Sequence, residues 1–146
     1  MAEHVVIIKS DDYDEEIKAL DLQCFTPKEA FPVELPPSAE CWVALSKDEV
    51  VGYLVAHSYE GIHYVDRYGV SQTHAGKGLG KRLLRAWLRW ARKDPTPNKY
   101  AWTYTVAKNA QSINALVGVG FRAWRPAKTP GGDIPLPLYC IWRKDL

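Results

Sequence analysis

The apolar residues of the chain follow two spacings, and the order of these spacings predicts the fold. Alternating or short apolar runs predict strands, whereas apolar residues three and four positions apart predict helices. Strands are predicted at 4–9, 41–46, 50–59, 62–70, 100–106, 121–125 and 137–143. Helices are predicted after Ser10, at 79–93 and at 109–117. The resulting order, βα(loop)βββαβαββ, predicts an α/β fold in which helices cover both faces of a mixed sheet.

Prolines at 27, 32, 36 and 37 exclude regular structure from residues 26–39 and predict a long loop there. The length of 146 residues suits one domain, so a single domain is expected over 1–146. No apolar run approaches the ~18 residues of a membrane span, and the first residues lack the pattern of a signal peptide. A cytoplasmic protein without membrane contact is therefore expected.

Charge is divided unevenly along the chain, although the formal net charge is only +2. Residues 1–60 hold thirteen acidic and four basic residues, whereas residues 61–146 hold fifteen basic and four acidic ones. Eight of the basic residues lie on or around the predicted helix 79–93. Such a field favours a polyanionic ligand, and nucleic acid is the less favoured one because no nucleic-acid-binding motif accompanies the charge. The three cysteines and four histidines lack ligand spacing, so no metal site is predicted.

A glycine-rich turn between the predicted fourth strand and the second helix is the main candidate for ligand binding. Glycines at 76, 78 and 80 allow positive φ and close approach of a ligand to the backbone. The helix that follows directs its unpaired N–H groups and the positive end of its dipole to the same place. The turn is therefore predicted to bind a phosphate group, the alternative being a glycine-rich connection without a ligand.

Two common phosphate-binding motifs do not fit this turn. A Walker loop needs four residues between its glycines and a Ser or Thr after the lysine, but Gly80 is only four positions after Gly76, and Arg82 follows Lys81. A dinucleotide fingerprint needs two residues between its last two glycines, but a single residue separates Gly78 from Gly80. The turn is therefore neither of these motifs.

The element order and two separated motifs resemble the GCN5-related N-acetyltransferase (GNAT) superfamily, which binds acetyl-CoA. In that family an apolar residue ends the fourth strand, five positions before a (Gln/Arg)-x-x-Gly-x-(Gly/Ala) motif, and here Val70 precedes 75–80 by that distance. A second family pattern consists of Asn, an aromatic residue seven positions later and Gly-Phe. Asn109, Leu116 and Gly120-Phe121 occupy these positions. The resemblance covers about residues 4–143 and implies a GNAT-like acyl-CoA N-acyltransferase fold.

The resemblance implies a set of residues around the coenzyme. The backbone N–H of Val70 would bind the thioester oxygen, and Asn109 would either cap the last helix or contact the pantetheine arm. Lys77 and Arg82 would either contact the phosphates or remain solvated. The residues implied in acetyl-CoA binding are Tyr68, Gly69, Val70, Ala75, Gly76, Lys77, Gly78, Leu79, Gly80, Lys81, Arg82, Asn109 and Ser112.

Two positions depart from the family pattern. Ala75 stands where the family has Gln or Arg, so one side-chain contact to the pyrophosphate is missing. Leu116 stands where many members have the tyrosine that protonates the departing thiolate. A thiol is already a fair leaving group beside an alkylamine, and general acid catalysis contributes typically 10²–10⁴-fold, so the loss would slow the reaction without abolishing it. Ser112, one turn earlier, or a bound water is the candidate replacement.

A general base is needed to take a proton from the attacking amine. On the predicted fourth strand, a two-residue period places Tyr64, Asp66, Tyr68 and Val70 on one face, and Asp66 is the only carboxylate among them. Asp66 is therefore the first candidate for the base, followed by Tyr64 and Glu34. The alternative role for Asp66 is a salt bridge to nearby basic residues.

These observations predict an acetyl-CoA-dependent N-acetyltransferase, monomeric or homodimeric, that transfers the acetyl group directly within a ternary complex. The acceptor would be an amine of a small molecule or a protein, in a pocket shaped by residues 31–37 and 134–139. An acyl-CoA-binding module with little turnover is the alternative, because of Ala75 and Leu116. A nucleic-acid-binding protein is the third interpretation.

Overall fold

The computed structural model describes residues 4–24, 38–106, 110–126 and 139–146, without the side chains of 104–106, 110, 124–126 and 139–141. Its strands are β1 (Val5–Lys9), β2 (Glu40–Ser46), β3 (Glu49–Tyr59), β4 (Ile62–Val70), β5 (Tyr100–Val106), β6 (Arg122–Pro126) and β7 (Tyr139–Asp145). Its α-helices are α1 (Asp14–Cys24), α2 (Leu79–Ala91) and α3 (Ala110–Gly118), and a short 3-10 helix covers Gln72–His74 between β4 and the glycine turn. The predicted order of elements and the α/β fold class are thus confirmed.

The strands form one mixed sheet of seven strands in the order β1-β2-β3-β4-β5-β7-β6. Neighbouring strands run antiparallel except β4 and β5, which run parallel. This parallel pair needs a crossover connection, and α2 supplies it. The glycine turn therefore follows the carboxyl end of β4, at the centre of the sheet.

Helices cover both faces of this sheet, as the sequence predicts. Ile17 and Leu20 of α1 pack on one face against a cluster that includes Tyr53 and Val55. Leu83 and Trp87 of α2 pack on the opposite face, in a larger cluster that Leu116 of α3 joins. The two faces are called the α1 face and the α2 face below. No helix of the described residues is long and apolar enough to cross a membrane.

A β-bulge in β4 changes which side chains share a face. Val55 of β3 pairs with Arg67, but the next residue, Ala56, pairs with Val65, so Asp66 is an extra residue in β4. The side chain of Arg67 reaches Asp21 of α1, so it lies on the α1 face. Because a bulge inserts one residue, the side-chain alternation before it is out of phase with the alternation after it.

A buried polar network attaches α1 to this bulge. Asp21, with no exposed surface, accepts hydrogen bonds from the Tyr53 hydroxyl and from Arg67 Nη1, the latter at 3.0 Å. Burial, followed by the hydrogen bond to Asp21, raises the pKa of Tyr53 well above its usual value. Tyr53 therefore remains a hydrogen-bond donor, and the network holds α1 to β3 and β4.

We predict that Asp21→Ala lowers the free energy of unfolding by about 3–5 kcal/mol, because it leaves the buried Tyr53 hydroxyl and the Arg67 guanidinium without this partner. Chemical denaturation measures the change. The control is Glu40→Gln, which breaks an ion pair to Lys9 whose side chains are 36% and 40% exposed. Its expected cost is below about 1 kcal/mol. Equal costs for the two variants would contradict a structural role of the buried network.

Candidate functional site

The glycine turn has the backbone geometry that an anion site requires. Gly76 and Gly78 have φ of +76° and +79°, in the region that side chains disfavour. A Cβ at either position would meet nothing within 4 Å, so the space above the turn is open. Gly80 differs, because a Cβ there would contact the Tyr68 ring at 3.5 Å. Glycine is thus favoured at positions 76 and 78 by the backbone conformation, whereas Gly80 lies against the Tyr68 ring.

The start of α2 adds hydrogen-bond donors to this turn. The first bond within the helix runs from the Arg82 N–H to the Gly78 carbonyl at 3.1 Å. The N–H groups of Leu79, Gly80 and Lys81 therefore have no acceptor within the helix. No side chain caps Gly78 within the described part of the chain. These donors and the helix dipole meet at the glycine turn, which suits an anion.

The basic side chains predicted to contact phosphate are placed in different ways. Arg82 donates a hydrogen bond to the Val5 carbonyl at 2.8 Å, and Lys81 lies so close to Gly118 that its Cε would be 2.8 Å from a Cβ there. Their charged groups thus contact β1 and the end of α3. Lys77 and Ala75 are exposed on the turn itself. The anion-binding capacity of this site accordingly rests mainly on backbone groups.

The next feature is a gap between β4 and β5 beside the turn. The parallel pairing joins only Ile62–Tyr64 to Tyr100–Trp102. Along the remainder of these two described strands, no further β4–β5 pairs form. The two strands thus separate toward the glycine turn and leave a gap between them.

Backbone N–H groups of β4 face this gap. The Ser71 N–H donates to the Val51 carbonyl at 2.8 Å, which makes these two residues a hydrogen-bonded pair. Val70 and Gly52, which lie opposite each other, therefore form a non-hydrogen-bonded pair. The Val70 N–H accordingly points away from β3, toward β5. The same alternation directs the N–H of Tyr68 toward the gap. The N–H of Val70, the predicted donor, thus faces the gap, and so does the N–H of Tyr68.

The expectation that Tyr64, Asp66, Tyr68 and Val70 share one face is wrong, because the bulge separates them. Asp66 forms its hydrogen bond with His57 on the α1 face, whereas Tyr68 and Val70 pack against the core of the α2 face. The two-residue period holds only for an unbroken strand, and the extra residue at Asp66 reverses it.

Asp66 is paired with His57, a residue to which the sequence pattern assigns no role. One carboxylate oxygen of Asp66 forms a short hydrogen bond with His57 Nδ1, and both side chains are mostly buried, with 20% and 15% exposed. Burial raises the pKa of Asp66, and the nearby His57 opposes this shift. The pairing could have been found from the β3–β4 hairpin, since its register places His57 opposite Tyr64.

The ring of His57 is the first of three stacked aromatic rings that extend across the sheet. The His57 ring stacks on Tyr64 with a centroid distance of 5.3 Å, and Tyr64 stacks on Trp102 at 5.2 Å. These rings belong to β3, β4 and β5, where the last two strands are still paired. They form a floor at the closed end of the gap, beside Asp66. Tyr64, the second candidate base, is thus a member of a stacked row.

On the α2 face, Tyr68 reaches across to α3. Its hydroxyl is 2.7 Å from Ser112 Oγ and 3.4 Å from the Ser112 carbonyl. Burial raises the pKa of Tyr68, and the hydrogen bond with Ser112 partly offsets this. Leu116, one turn along α3, is fully buried in the core. Ser112, predicted as a catalytic residue, is thus joined to a phenol from β4.

Gly69 lies between two side chains on the α1 face. A Cβ there would be 2.8 Å from the Tyr53 ring and 2.9 Å from Cys24 Sγ, so no side chain fits. Cys24 is partly exposed, and its thiol, beside Gly69, donates to the Val70 carbonyl at 3.7 Å. Burial raises the pKa of Cys24, followed by the effect of Asp21. Packing against Tyr53 and Cys24 thus explains why glycine occupies position 69, which is predicted to lie near the coenzyme.

Some predicted site residues cannot be placed. Asn109, Glu34 and residues 31–37 lie outside the described residues, as do 134–138 of the second predicted acceptor segment. Their assignments stay predictions. Among the described residues, no group of three metal-ligating side chains occurs.

The remaining positive charge of α2 lies along a separate cavity. Arg85, Arg89 and Arg92 line a cavity of about 460 Å³ together with residues 117–120 after α3. Arg85 is seven residues beyond Gly78, about 10 Å along the helix. This arginine cavity is therefore distinct from the glycine turn.

Comparison with known families gives one match over most of the chain. The model of the acetyltransferase (GNAT) family matches residues 5–121. No curated protein sequence matches the chain. The matched range includes the glycine turn, the gap and α3.

Solved structures with the same fold cover nearly the whole chain. A Klebsiella pneumoniae protein assigned to the acyl-CoA N-acyltransferases has 25% identity and a TM-score of 0.79, covering 97% of each chain. The ribosomal-protein-S18-alanine N-acetyltransferase of Escherichia coli has 14% identity and a TM-score of 0.76, covering 97% of this chain and 94% of its own. A Bacillus subtilis acetyltransferase in complex with CoA has 18% identity and a TM-score of 0.76, covering 98% and 99%. The last two likenesses show the fold.

Proposed function

The chain belongs to the acetyltransferase (GNAT) family, and from that premise we propose that it transfers the acetyl group of acetyl-CoA to an amine by direct attack in a ternary complex. The acceptor is an amine of a small molecule or a protein. The observation that carries the proposal is the continuity of the glycine turn with the gap between β4 and β5. One ligand can place a diphosphate at the turn and a thioester in the gap.

The donors around this path suit the two charged parts of the ligand. Gly76, Gly78 and the first N–H groups of α2 offer a cradle for the diphosphate. The N–H groups of Tyr68 and Val70 face the gap, where the thioester oxygen gains negative charge during acyl transfer. Donors fixed in a strand need no reorganisation when that charge develops. The chain thus supplies an anion site and an oxyanion site on adjacent segments.

We assign the role of general base to Asp66, held in place by His57. An amine must lose a proton to attack, and a carboxylate whose pKa is raised by burial is a stronger base than an exposed one. The hydrogen bond to His57 Nδ1 fixes one carboxylate oxygen and leaves the second oxygen as the atom that would accept the amine proton. The acceptor would then approach from the α1 face, over the aromatic floor of His57, Tyr64 and Trp102.

Direct transfer also agrees with the state of the nearest thiol. Cys24 lies beside Val70, but its raised pKa keeps it protonated at neutral pH, and a protonated thiol is a weak nucleophile. A covalent acetyl-cysteine step is therefore not part of the proposal. Attack by the amine on the thioester completes the reaction in one complex.

The proposal is tested by mixing the purified protein with acetyl-CoA and a panel of amines that includes polyamines, amino sugars and peptides with free N-termini. The release of CoA thiol is followed with a thiol reagent. The expected result is amine-dependent thiol release above the rate without protein for at least one acceptor class. Binding of CoA without any such release would identify an acyl-CoA-binding module instead.

A further inference from the structure

Departure of CoA leaves a thiolate that needs a proton, and α3 offers no acid at Leu116. Leu116 is fully buried in the apolar core, so its position contributes no polar group to the gap. Ser112 is closer to the α3 N-terminus, but an alkyl hydroxyl is a poor acid. A stronger acid must therefore come from another element or from water.

Both the backbone and the side chain of Tyr68 adjoin the proposed ligand path. Its N–H points into the gap, and its ring passes beneath Gly80 at the start of α2. Its hydroxyl then meets Ser112 Oγ at 2.7 Å. The phenol thus lies between the diphosphate turn, the gap and α3.

The bulge accounts for this position. In an unbroken strand, Asp66 and Tyr68 would lie on the same face, two residues apart. The extra residue in β4 places Asp66 on the α1 face with His57 and Tyr68 on the α2 face with Ser112. A carboxylate and a phenol from β4 therefore lie on opposite faces of the sheet.

We infer that Tyr68 is the proton donor to the departing CoA thiolate, acting directly or through the Ser112 hydroxyl. This inference rests on the proposed acetyltransferase function. When the amine attacks, the carbon–sulfur bond breaks and its electron pair goes to sulfur. The proton moves from Tyr68 Oη to sulfur, or from Ser112 Oγ to sulfur while Tyr68 reprotonates Ser112. The amine proton passes to the base, and solvent water then takes it from the base and returns a proton to the phenolate, so that both groups are restored.

The chemistry of the two hydroxyls supports this assignment. A phenol, with an ordinary pKa near 10, is a far stronger acid than the alkyl hydroxyl of Ser112, so Tyr68 is the better proton donor of the two toward a thiolate, whose thiol has a pKa near 8.5. A phenol is protonated at neutral pH, so the donor is loaded before each turnover, and the rise in the pKa of Tyr68 on burial makes it a weaker acid than a solvated phenol. The bond to Ser112 fixes the hydroxyl against the first turn of α3. A side chain from β4 thus compensates for the apolar residue on α3.

The test is Tyr68→Phe, which removes only the hydroxyl, compared with Tyr59→Phe at a tyrosine that is 69% exposed. Acetyl transfer to the best amine should fall about 10²-fold for Tyr68→Phe, the lower end of general acid effects. CoA affinity and melting temperature should stay within a factor of two and a few degrees of the parent protein. The Tyr59 variant should keep full activity.

A second variant separates acid catalysis from a structural role of the ring. Replacement of Tyr68 by a fluorinated tyrosine keeps the hydroxyl and lowers its pKa. An acid must be protonated to act, so the alkaline fall in transfer rate should move to lower pH in this variant. The same replacement at Tyr59 should leave the profile unchanged. This comparison remains decisive if Tyr68→Phe does not fold.

Two results would overturn the role of Tyr68 while the acetyltransferase function stands. One is full activity of a folded Tyr68→Phe variant, and the other is an alkaline fall in transfer rate that stays at the same pH when Tyr68 is replaced by fluorotyrosine. A parent protein that releases no thiol with any amine would overturn the function, and the role of Tyr68 with it. The parent assay thus distinguishes the two failures.

Discussion

Gly78→Glu is expected to lower the affinity for CoA by about 100-fold or more, equivalent to about 2.8 kcal/mol. The new carboxylate would occupy the open space above the turn, where a Cβ meets nothing within 4 Å. It would repel the diphosphate and compete for the N–H groups at the start of α2. Because that space is open, the variant should still unfold cooperatively. Isothermal titration with CoA measures the loss.

The matched control is Gly78→Ala, because it shares the backbone strain without the charge. An L-residue at φ +79° costs roughly 1–2 kcal/mol, so both variants should be less stable by a similar amount. Only the Gly78→Glu variant should lose most of its affinity for CoA. If Gly78→Glu bound CoA as tightly as Gly78→Ala, the glycine turn would not be the diphosphate site.

Asp66→Asn is expected to lower the rate of acetyl transfer by about 10²–10⁴-fold, because the amide cannot accept the amine proton. The substitution keeps size and can still bond His57, so CoA affinity should not change. A base must be ionised to act. The parent rate should therefore fall as pH decreases through the raised pKa of Asp66, and this acidic limb should disappear in the variant. Steady-state rates across pH measure both effects.

Two further variants test whether Asp66 or a neighbouring side chain takes the proton from the amine. His57→Gln removes the ring but keeps a donor for Asp66, so a smaller loss of rate is expected when Asp66 is the base. Tyr64→Phe keeps the stacked ring and removes the second candidate base, and full activity is expected. A loss from Tyr64→Phe as large as that from Asp66→Asn would instead assign the base to Tyr64.

The sequence predicts most of the fold because its local signals agree with the tertiary contacts. The apolar stripe of α2 begins at Leu79. The residue before it, Gly78, ends the turn in a left-handed conformation. The β3–β4 hairpin forms at the predicted Glu60-Gly61, where both residues have positive φ. The element order followed from such signals, and the glycine turn was located by the same means.

The bulge and its consequences were not predicted, because a strict two-residue period assumes that no residue is inserted. The signal is present, however, in a change of phase along β4. Buried residues occupy the odd positions His63 and Val65, whereas Tyr68 and Val70, which pack on the same core, occupy even ones. His57 was missed for a different reason, since its role arises only from pairing with a neighbouring strand. The network of Asp21 likewise depends on contacts distant in sequence.

The most direct test of the account follows the acetyl group itself. The protein is incubated with acetyl-CoA labelled in the acetyl group and with the amine that gives the fastest thiol release, and the products are separated before mass analysis. The account predicts label on the amine nitrogen, free CoA in equal amount, and no label retained on the protein. Label that stays in protein-bound acetyl-CoA, or that accumulates on Cys24, would contradict direct transfer to an amine.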